Sequence, residues 1–225
     1  MKPYIICHMM TSLDGRIDCD MVGKLQGVDE YYESLQTLGV CATLSGRVTA
    51  ELELALKGKF EPKNGDKFGK TGFSKKSSRK NYEVVTDTKG VLLWDDDAKY
   101  DKHHIIVLSE EVSKEYLDYL DGKNISWIVC GAQKINIDKA CEILADEFDV
   151  KRLAVVGGPI INSAFLSAGL IDEVSILIGL GIDGRTGFPA IFDDFPKENE
   201  PVLLELKSAL TYKNGAVWLR YSVKK

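Results

Sequence analysis

Leu153-Ala154-Val155-Val156-Gly157-Gly158-Pro159-Ile160-Ile161-Asn162 decides the fold class of this chain. Its short apolar opening predicts a buried strand over Leu153–Val156. Paired glycines then turn the chain, and a proline near the first helical position suits the start of a short helix that stops at Gly169. A strand that turns on glycine directly into a helix is the unit from which parallel sheets are built. Such glycines let the backbone approach a ligand, and the first turn of the helix offers free amides and a positive dipole end to a pyrophosphate. A tight connection without any ligand uses the same residues.

The same unit recurs along the chain. Residues 4–10 read as a first strand that ends at the turn signal Asp14-Gly15. Asp29 is placed to cap a helix through Leu38, with Gly39 as its stop. Val40–Leu44 is a buried-strand candidate, followed by Ser45-Gly46-Arg47 and a helix that runs out at Gly58. Further strands are predicted at Tyr82–Thr86, Val91–Trp94, Ile105–Leu108 and Trp127–Cys130, and helices at Val112–Leu120 and Asp138–Phe148. Residues 202–212 and 216–223 alternate on either side of Asn214-Gly215, a strong hairpin signal. The fold class is therefore α/β, a mainly parallel sheet covered by helices with a C-terminal antiparallel hairpin.

Size and composition narrow the classes. The 225 residues fit a single domain, 1–225, and 44% hydrophobic with 28% charged residues exclude a disordered or fibrous chain. The formal net charge of −5 gives no electrostatic case for a nucleic-acid partner. No apolar run reaches the roughly 18 residues that suggest a membrane span. The start at Tyr4-Ile5-Ile6-Cys7 shows no basic leader, so the expected location is the cytoplasm. Five cysteines without a C-x-x-C pair, and three scattered histidines, argue against a disulfide framework and a metal centre. Residues 57–80, rich in lysine and glycine, read as a solvated, mobile surface excursion rather than a nucleic-acid patch.

Three turns compete for function. Besides Gly157-Gly158-Pro159, the stretch Ser45-Gly46-Arg47-Val48-Thr49 again joins a strand to a helix. Gly46 permits close approach, Thr49 can cap the helix, and Arg47 can grip a phosphate with forked donors. Its bland reading is a helix cap with a solvated arginine. Two such turns after separate strands fit a nucleotide whose phosphates lie across neighbouring loops. Thr11-Ser12-Leu13-Asp14-Gly15-Arg16 is, on its own, an ordinary turn. Gly65-Asp66-Lys67-Phe68-Gly69-Lys70-Thr71 is one residue short of a phosphate loop and lacks a preceding strand and a following helix, so an ATPase is not expected.

Met10-Thr11-Ser12-Leu13-Asp14-Gly15-Arg16-Ile17 resembles the opening signature of the reductase domain of the bacterial riboflavin-pathway deaminase-reductase. Gly157-Gly158-Pro159 with Asn162, Phe165-Leu166, Gly169-Leu170 and Asp172-Glu173 resembles that family's second signature. Ser45-Gly46-Arg47-Val48-Thr49 also resembles the phosphate-binding turn of dihydrofolate reductases, to which the family is related in fold. The resemblance implies a three-layer, dihydrofolate-reductase-like fold, a homodimer, and hydride transfer from NADPH to a small substrate. It would put Gly46, Arg47 and Thr49 on the phosphates and Gly157, Gly158, Pro159 and Ile160 on the pyrophosphate and nicotinamide side. Thr11 to Gly15 would lie near the reacting centre, with Asp14 as the carboxylate closest to the reacting atoms. Thr86 would face the 2′-phosphate, in competition with Ser109.

The family's substrate features are matched less well. Its serine-tryptophan-isoleucine stretch and following arginine are replaced by Gly23-Lys24-Leu25-Gln26-Gly27-Val28-Asp29-Glu30-Tyr31-Tyr32. An aspartate-aspartate-proline gives way to Ala50-Glu51-Leu52-Glu53, and an acid before the glycines to Val156. Reduction of 5-amino-6-(5-phosphoribosylamino)uracil is the first expectation. The rivals are a paralogous NADPH reductase of a pterin or carbonyl compound, and a nucleotide-binding protein without chemistry.

Overall fold

A computed structural model describes residues 1–193, 195 and 198–224. Along the chain run β1 (Tyr4–Thr11), α1 (Cys19–Val22), α2 (Val28–Thr37), β2 (Ala42–Gly46), α3 (Arg47–Glu53), β3 (Gly72–Ser74) and β4 (Tyr82–Thr86). There follow β5 (His103–Leu108), α4 (Lys114–Gly122), β6 (Ser126–Val129), α5 (Ile137–Phe148) and β7 (Arg152–Val155). The last elements are α6 (Pro159–Ser167), β8 (Glu173–Ile178), β9 (Leu204–Thr211) and β10 (Val217–Val223). Contacts divide the chain into two compact units, Met1–Pro3 with Cys41–Leu153, and Tyr4–Val40 with Ala154–Lys225.

In the first unit the strand order is β3-β6-β5-β4-β2. β2, β4, β5 and β6 pair in parallel, and β3 closes against β6 antiparallel. β5 is buried at all six positions, as an apolar run of Ile105-Ile106-Val107-Leu108 requires. Its core gathers Trp94, Ile106, Leu108, Tyr116, Leu120 and Trp127. Each fully buried large side chain contributes roughly 1.5–3 kcal/mol.

In the second unit the order is β1-β8-β10-β9. β1 and β8 are parallel, and β10 runs antiparallel to both β8 and β9. Gly215, with φ of 97°, makes the hairpin turn read from Asn214-Gly215. The expected α/β fold, mainly parallel with a C-terminal antiparallel hairpin, is what the chain forms.

Several local readings need correction. Val91–Trp94 is not a strand, because the Asp87 carboxylate takes the N–H groups of Val91 and Leu92 at 2.7 and 2.9 Å. Only a single bridge, Leu56 to Leu93, remains. That bridge also cuts the helix expected to reach Gly58, and α3 stops at Glu53. Asp29 does not cap α2; Gly27 does, and Asp29 lies in the first turn where its charge favours the helix dipole.

Residues 57–80 are an excursion but a fastened one. Phe68 donates its N–H to the Val112 carbonyl at 2.9 Å and sets its ring edge-on to Trp127. Gly72–Ser74 forms β3, and Arg79 reaches the buried Asp97 at 2.7 Å. Burial alone would raise the Asp97 pKa, but hydrogen bonds from His103 and His104 hold it well below the ordinary range.

Candidate active site

The turn of the first unit lies where β2 and β4 end together. Gly46 and Thr86 face each other in the parallel ladder, and the Thr86 hydroxyl donates to the Ser45 carbonyl at 3.4 Å. Gly46 is extended (φ −80°, ψ 163°) and stands at the N-cap of α3. Arg47 opens the helix, exposed, with its guanidinium on Glu51 at 2.9 Å. Thr49 is not a cap: it sits inside the first turn of α3, and no side chain caps that helix. Ser109 is fully buried, its hydroxyl spent on the Thr88 carbonyl at 2.8 Å. Thr86, only half-buried, is the more accessible of the two hydroxyls. Asp87 follows it, buried, with burial pushing its pKa up against the hydrogen bonds it accepts from Leu92 and Val91.

In the second unit β1 ends in a tight turn. Ser12 donates its N–H to the Arg16 carbonyl at 3.0 Å, and Gly15 completes the turn with φ of 80°. A Cβ on Gly15 would touch nothing, so that glycine serves the backbone angle rather than space. The Thr11 hydroxyl is buried and donates to the Ser12 carbonyl at 2.8 Å. Asp14 is exposed and accepts three hydrogen bonds: from Ser12 Oγ at 2.6 Å, Asp183 N at 2.9 Å and Gly184 N at 2.9 Å. The Ser12 hydroxyl and these two amides hold its carboxyl far below the usual range, so it is ionised at neutral pH and has no proton to give.

After β7, Gly157 turns the chain with φ of 116°, buried against Met9 of β1. Gly158 is extended at the N-cap of α6, and Pro159 opens the helix as its sequence suggested. Ile160, in the first turn, is 70% exposed. Asn162 is fully buried and donates its amide to the Ile191 carbonyl at 2.8 Å.

Thus Gly46, Arg47, Thr49 and Thr86 collect at the carboxyl ends of two parallel strands in one unit. Thr11, Asp14 and Gly15 follow β1 and Gly157 to Ile160 follow β7 in the other, with Gly157 against Met9 of β1. Sequence reading passed over the stretch Glu173–Asp193. β8 was visible as the apolar run Val174-Ser175-Ile176-Leu177-Ile178 before Gly179. The contacts of Asp183, Gly184 and Ile191 with Asp14 and Asn162 left no local trace. A metal-binding group of His, Cys, Asp and Glu does not occur among the described residues, nor does a helix long and apolar enough to cross a membrane.

The fold is shared with solved proteins. A pyrimidine reductase-like protein of Corynebacterium diphtheriae superposes with a TM-score of 0.74 at 17% identity, over 99% of this chain and 92% of that one. The riboflavin biosynthesis reductase Rib7 of Saccharomyces cerevisiae gives 0.63 at 18%, over 99% and 90%. RibD of Acinetobacter baumannii gives 0.65 at 17%, over 99% of this chain but 58% of that chain, so the protein spans little more than half of that relative. A sequence model of the RibD C-terminal domain matches residues 3–218. Covering nearly the whole chain, that match makes the protein a member of the RibD C-terminal domain family.

Proposed function

We propose that the protein is an NADPH-dependent reductase of 5-amino-6-(5-phosphoribosylamino)uracil, acting as a single reductase domain in the cytoplasm. Membership in the RibD C-terminal domain family supports an oxidoreductase. The observation that carries the cofactor reading is the glycine turn Gly157-Gly158 opening α6, with no side chain at its N-cap. When bound, NADPH supplies a hydride to the substrate. Gly157, Gly158, Pro159 and Ile160 take its pyrophosphate and nicotinamide side, with Thr11 and Gly15 beside the ring. Gly46, Arg47 and Thr49 take phosphate charge, and Thr86 faces the 2′-phosphate. Arg47 is the source of NADPH preference, because a guanidinium gives the extra phosphate a charge-assisted bond that NADH cannot answer. Asp14 stays at the substrate end as a fixed negative charge, orienting rather than protonating.

A homodimer belongs to the same reading. Leu204, Leu206 and Leu210 of the edge strand β9 are 40%, 58% and 48% exposed, an apolar edge that a second copy would cover. Sedimentation at several concentrations tests it, and a purely monomeric protein at the highest would refute it.

The defining assay is substrate-dependent loss of NADPH absorbance. Turnover with the aminouracil ribosyl phosphate is the expected result. Val156, in place of an acid before the glycines, favours a second reading, a paralogous reductase of a pterin or carbonyl compound. Turnover with those compounds alone would select it. Tight NADPH binding with no turnover would leave a nucleotide-binding protein.

A further inference from the structure

The polar side chains of the two glycine-turn segments converge on one stretch, Leu180–Asp193. Asp14 takes the N–H groups of Asp183 and Gly184. Two residues on, Arg16 donates a guanidinium N–H to the Phe188 carbonyl at 2.5 Å, and its backbone bridges Ala190. Ile17 donates its N–H to the Pro189 carbonyl at 3.2 Å. From the first turn of α6, Asn162 holds the Ile191 carbonyl. The near end of the stretch is caught by Leu13, whose N–H donates to the Gly181 carbonyl at 2.7 Å. Arg185 closes the outer side through Asp18 at 2.6 Å and lies over the Phe188 ring.

Asn162 makes its hold from a fully buried position, and Arg16 from a half-buried one. Asp14 accepts three hydrogen bonds, two of them from the stretch, so most of its accepting capacity goes into the hold. From Gly181 to Ile191, beside the exposed Arg185 and Thr186, the stretch presents one large apolar side chain, Ile182 at 70% exposure, on backbone adjoining Leu13 at 67%.

We infer that Asp14, Arg16 and Asn162 are positioning residues that hold Gly181–Ile191 as the substrate-side wall, with Leu13 and Ile182 set against the flat ring of a heterocyclic substrate. This rests on the reductase reading. A wall held from the hydrogen-bonded turn after β1 and from α6 keeps its geometry while the loop itself remains irregular.

Limited trypsin digestion reads the hold, because Arg185, 43% exposed, is a cleavage point within the wall. Asn162→Ala, which removes one hydrogen bond to the stretch, should be cut there about tenfold faster than wild type, and Asp14→Ala, which removes two, at least as fast. Cleavage elsewhere should stay slow, which separates a loosened wall from general unfolding. Asp14→Asn, which keeps one acceptor oxygen, should fall between wild type and Asp14→Ala. In kinetics with the aminouracil ribosyl phosphate, these variants and Ile182→Asp should raise KM for the substrate and leave the NADPH Kd unchanged. Only Ile182→Asp should do so without faster cleavage at Arg185. Unchanged digestion of Asp14→Ala and Asn162→Ala would overturn the positioning role. A Kd for NADPH that weakens in step with KM would overturn the assignment to the substrate side. Wild type inert toward every offered substrate would remove the reductase reading and the wall's purpose with it, while the digestion would still decide the hold.

Discussion

The two strand-to-helix turns use glycine for different reasons. Gly157 lies at φ of 116°, a region L-residues avoid, and its would-be Cβ comes within 3.3 Å of the Met9 methyl. Gly46 and Gly158 have φ of −80° and extended ψ, which any residue adopts, and each stands at a helix N-cap. Serine, threonine or aspartate would cap those helices better or as well. The backbone angle alone accounts for a glycine at 157, whatever its backbone offers a ligand. In contrast, φ does not account for Gly46 and Gly158, and open approach to the free amides is the reason the proposed cofactor site supplies for them.

Gly158→Val breaks the comparison most sharply. It should abolish NADPH binding and leave the chain folded, since valine tolerates the observed φ. Calorimetric titration with thermal melts on one preparation decides it. Normal binding by the folded variant would return Gly158 to a plain turn.

Arg47→Ala comes next. Among the described residues its side chain bonds to Glu51, an exposed pair worth little to stability. The fold should be untouched, and NADPH affinity should fall by about 1.5–3 kcal/mol while NADH affinity hardly moves. Equal weakening of both cofactors would detach Arg47 from the extra phosphate.

Gly157→Ala should do the reverse. Forcing a Cβ onto a positive φ against Met9 should cost about 1–3 kcal/mol of stability, a fall of several degrees in Tm. At low temperature the folded fraction should bind NADPH as wild type does. Weakened binding with an unchanged Tm would erase the distinction between the two kinds of glycine.

Sequence reading captured elements whose determinants are local. Tyr82–Thr86 was bounded correctly because a β-branched run stands between polar residues. The hairpin followed from Asn214-Gly215, and α6 from Pro159. It failed where a distant or buried group outweighed the local pattern. Val91–Trp94 has the composition of a strand, but the Asp87 carboxylate holds two of the amides a ladder would use. Residues 57–80 look solvated by composition, yet Phe60 and Phe68 pack on the core of Trp94, Tyr116 and Trp127. The holds on Phe188, Asp183 and Ile191 join positions 172, 169 and 29 residues apart, beyond any periodicity. For the site, the glycines were legible because their spacing is local, whereas the partners of Asp14 and Asn162 appear only in three dimensions.

The smallest predicted effect tests whether Arg47 is poised or occupied. Its guanidinium is held by Glu51 one helical turn along, with both side chains about 40% exposed. An arginine preceding a glutamate at this spacing is the weaker orientation, and such pairs contribute about 0.3–0.5 kcal/mol. A phosphate must displace that carboxylate or share the cation with it. Glu51→Gln removes the competitor's charge, leaves the helix intact, and should strengthen NADPH binding about twofold at low salt, with NADH unchanged. The gain should vanish as salt screens the exposed pair, because what is removed is a surface repulsion. If Glu51→Gln weakens NADPH instead, Glu51 is orienting the guanidinium rather than competing for it. The turn after β2 would then be a preset phosphate clamp, closer to the braced turn after β7 than their backbone angles suggest.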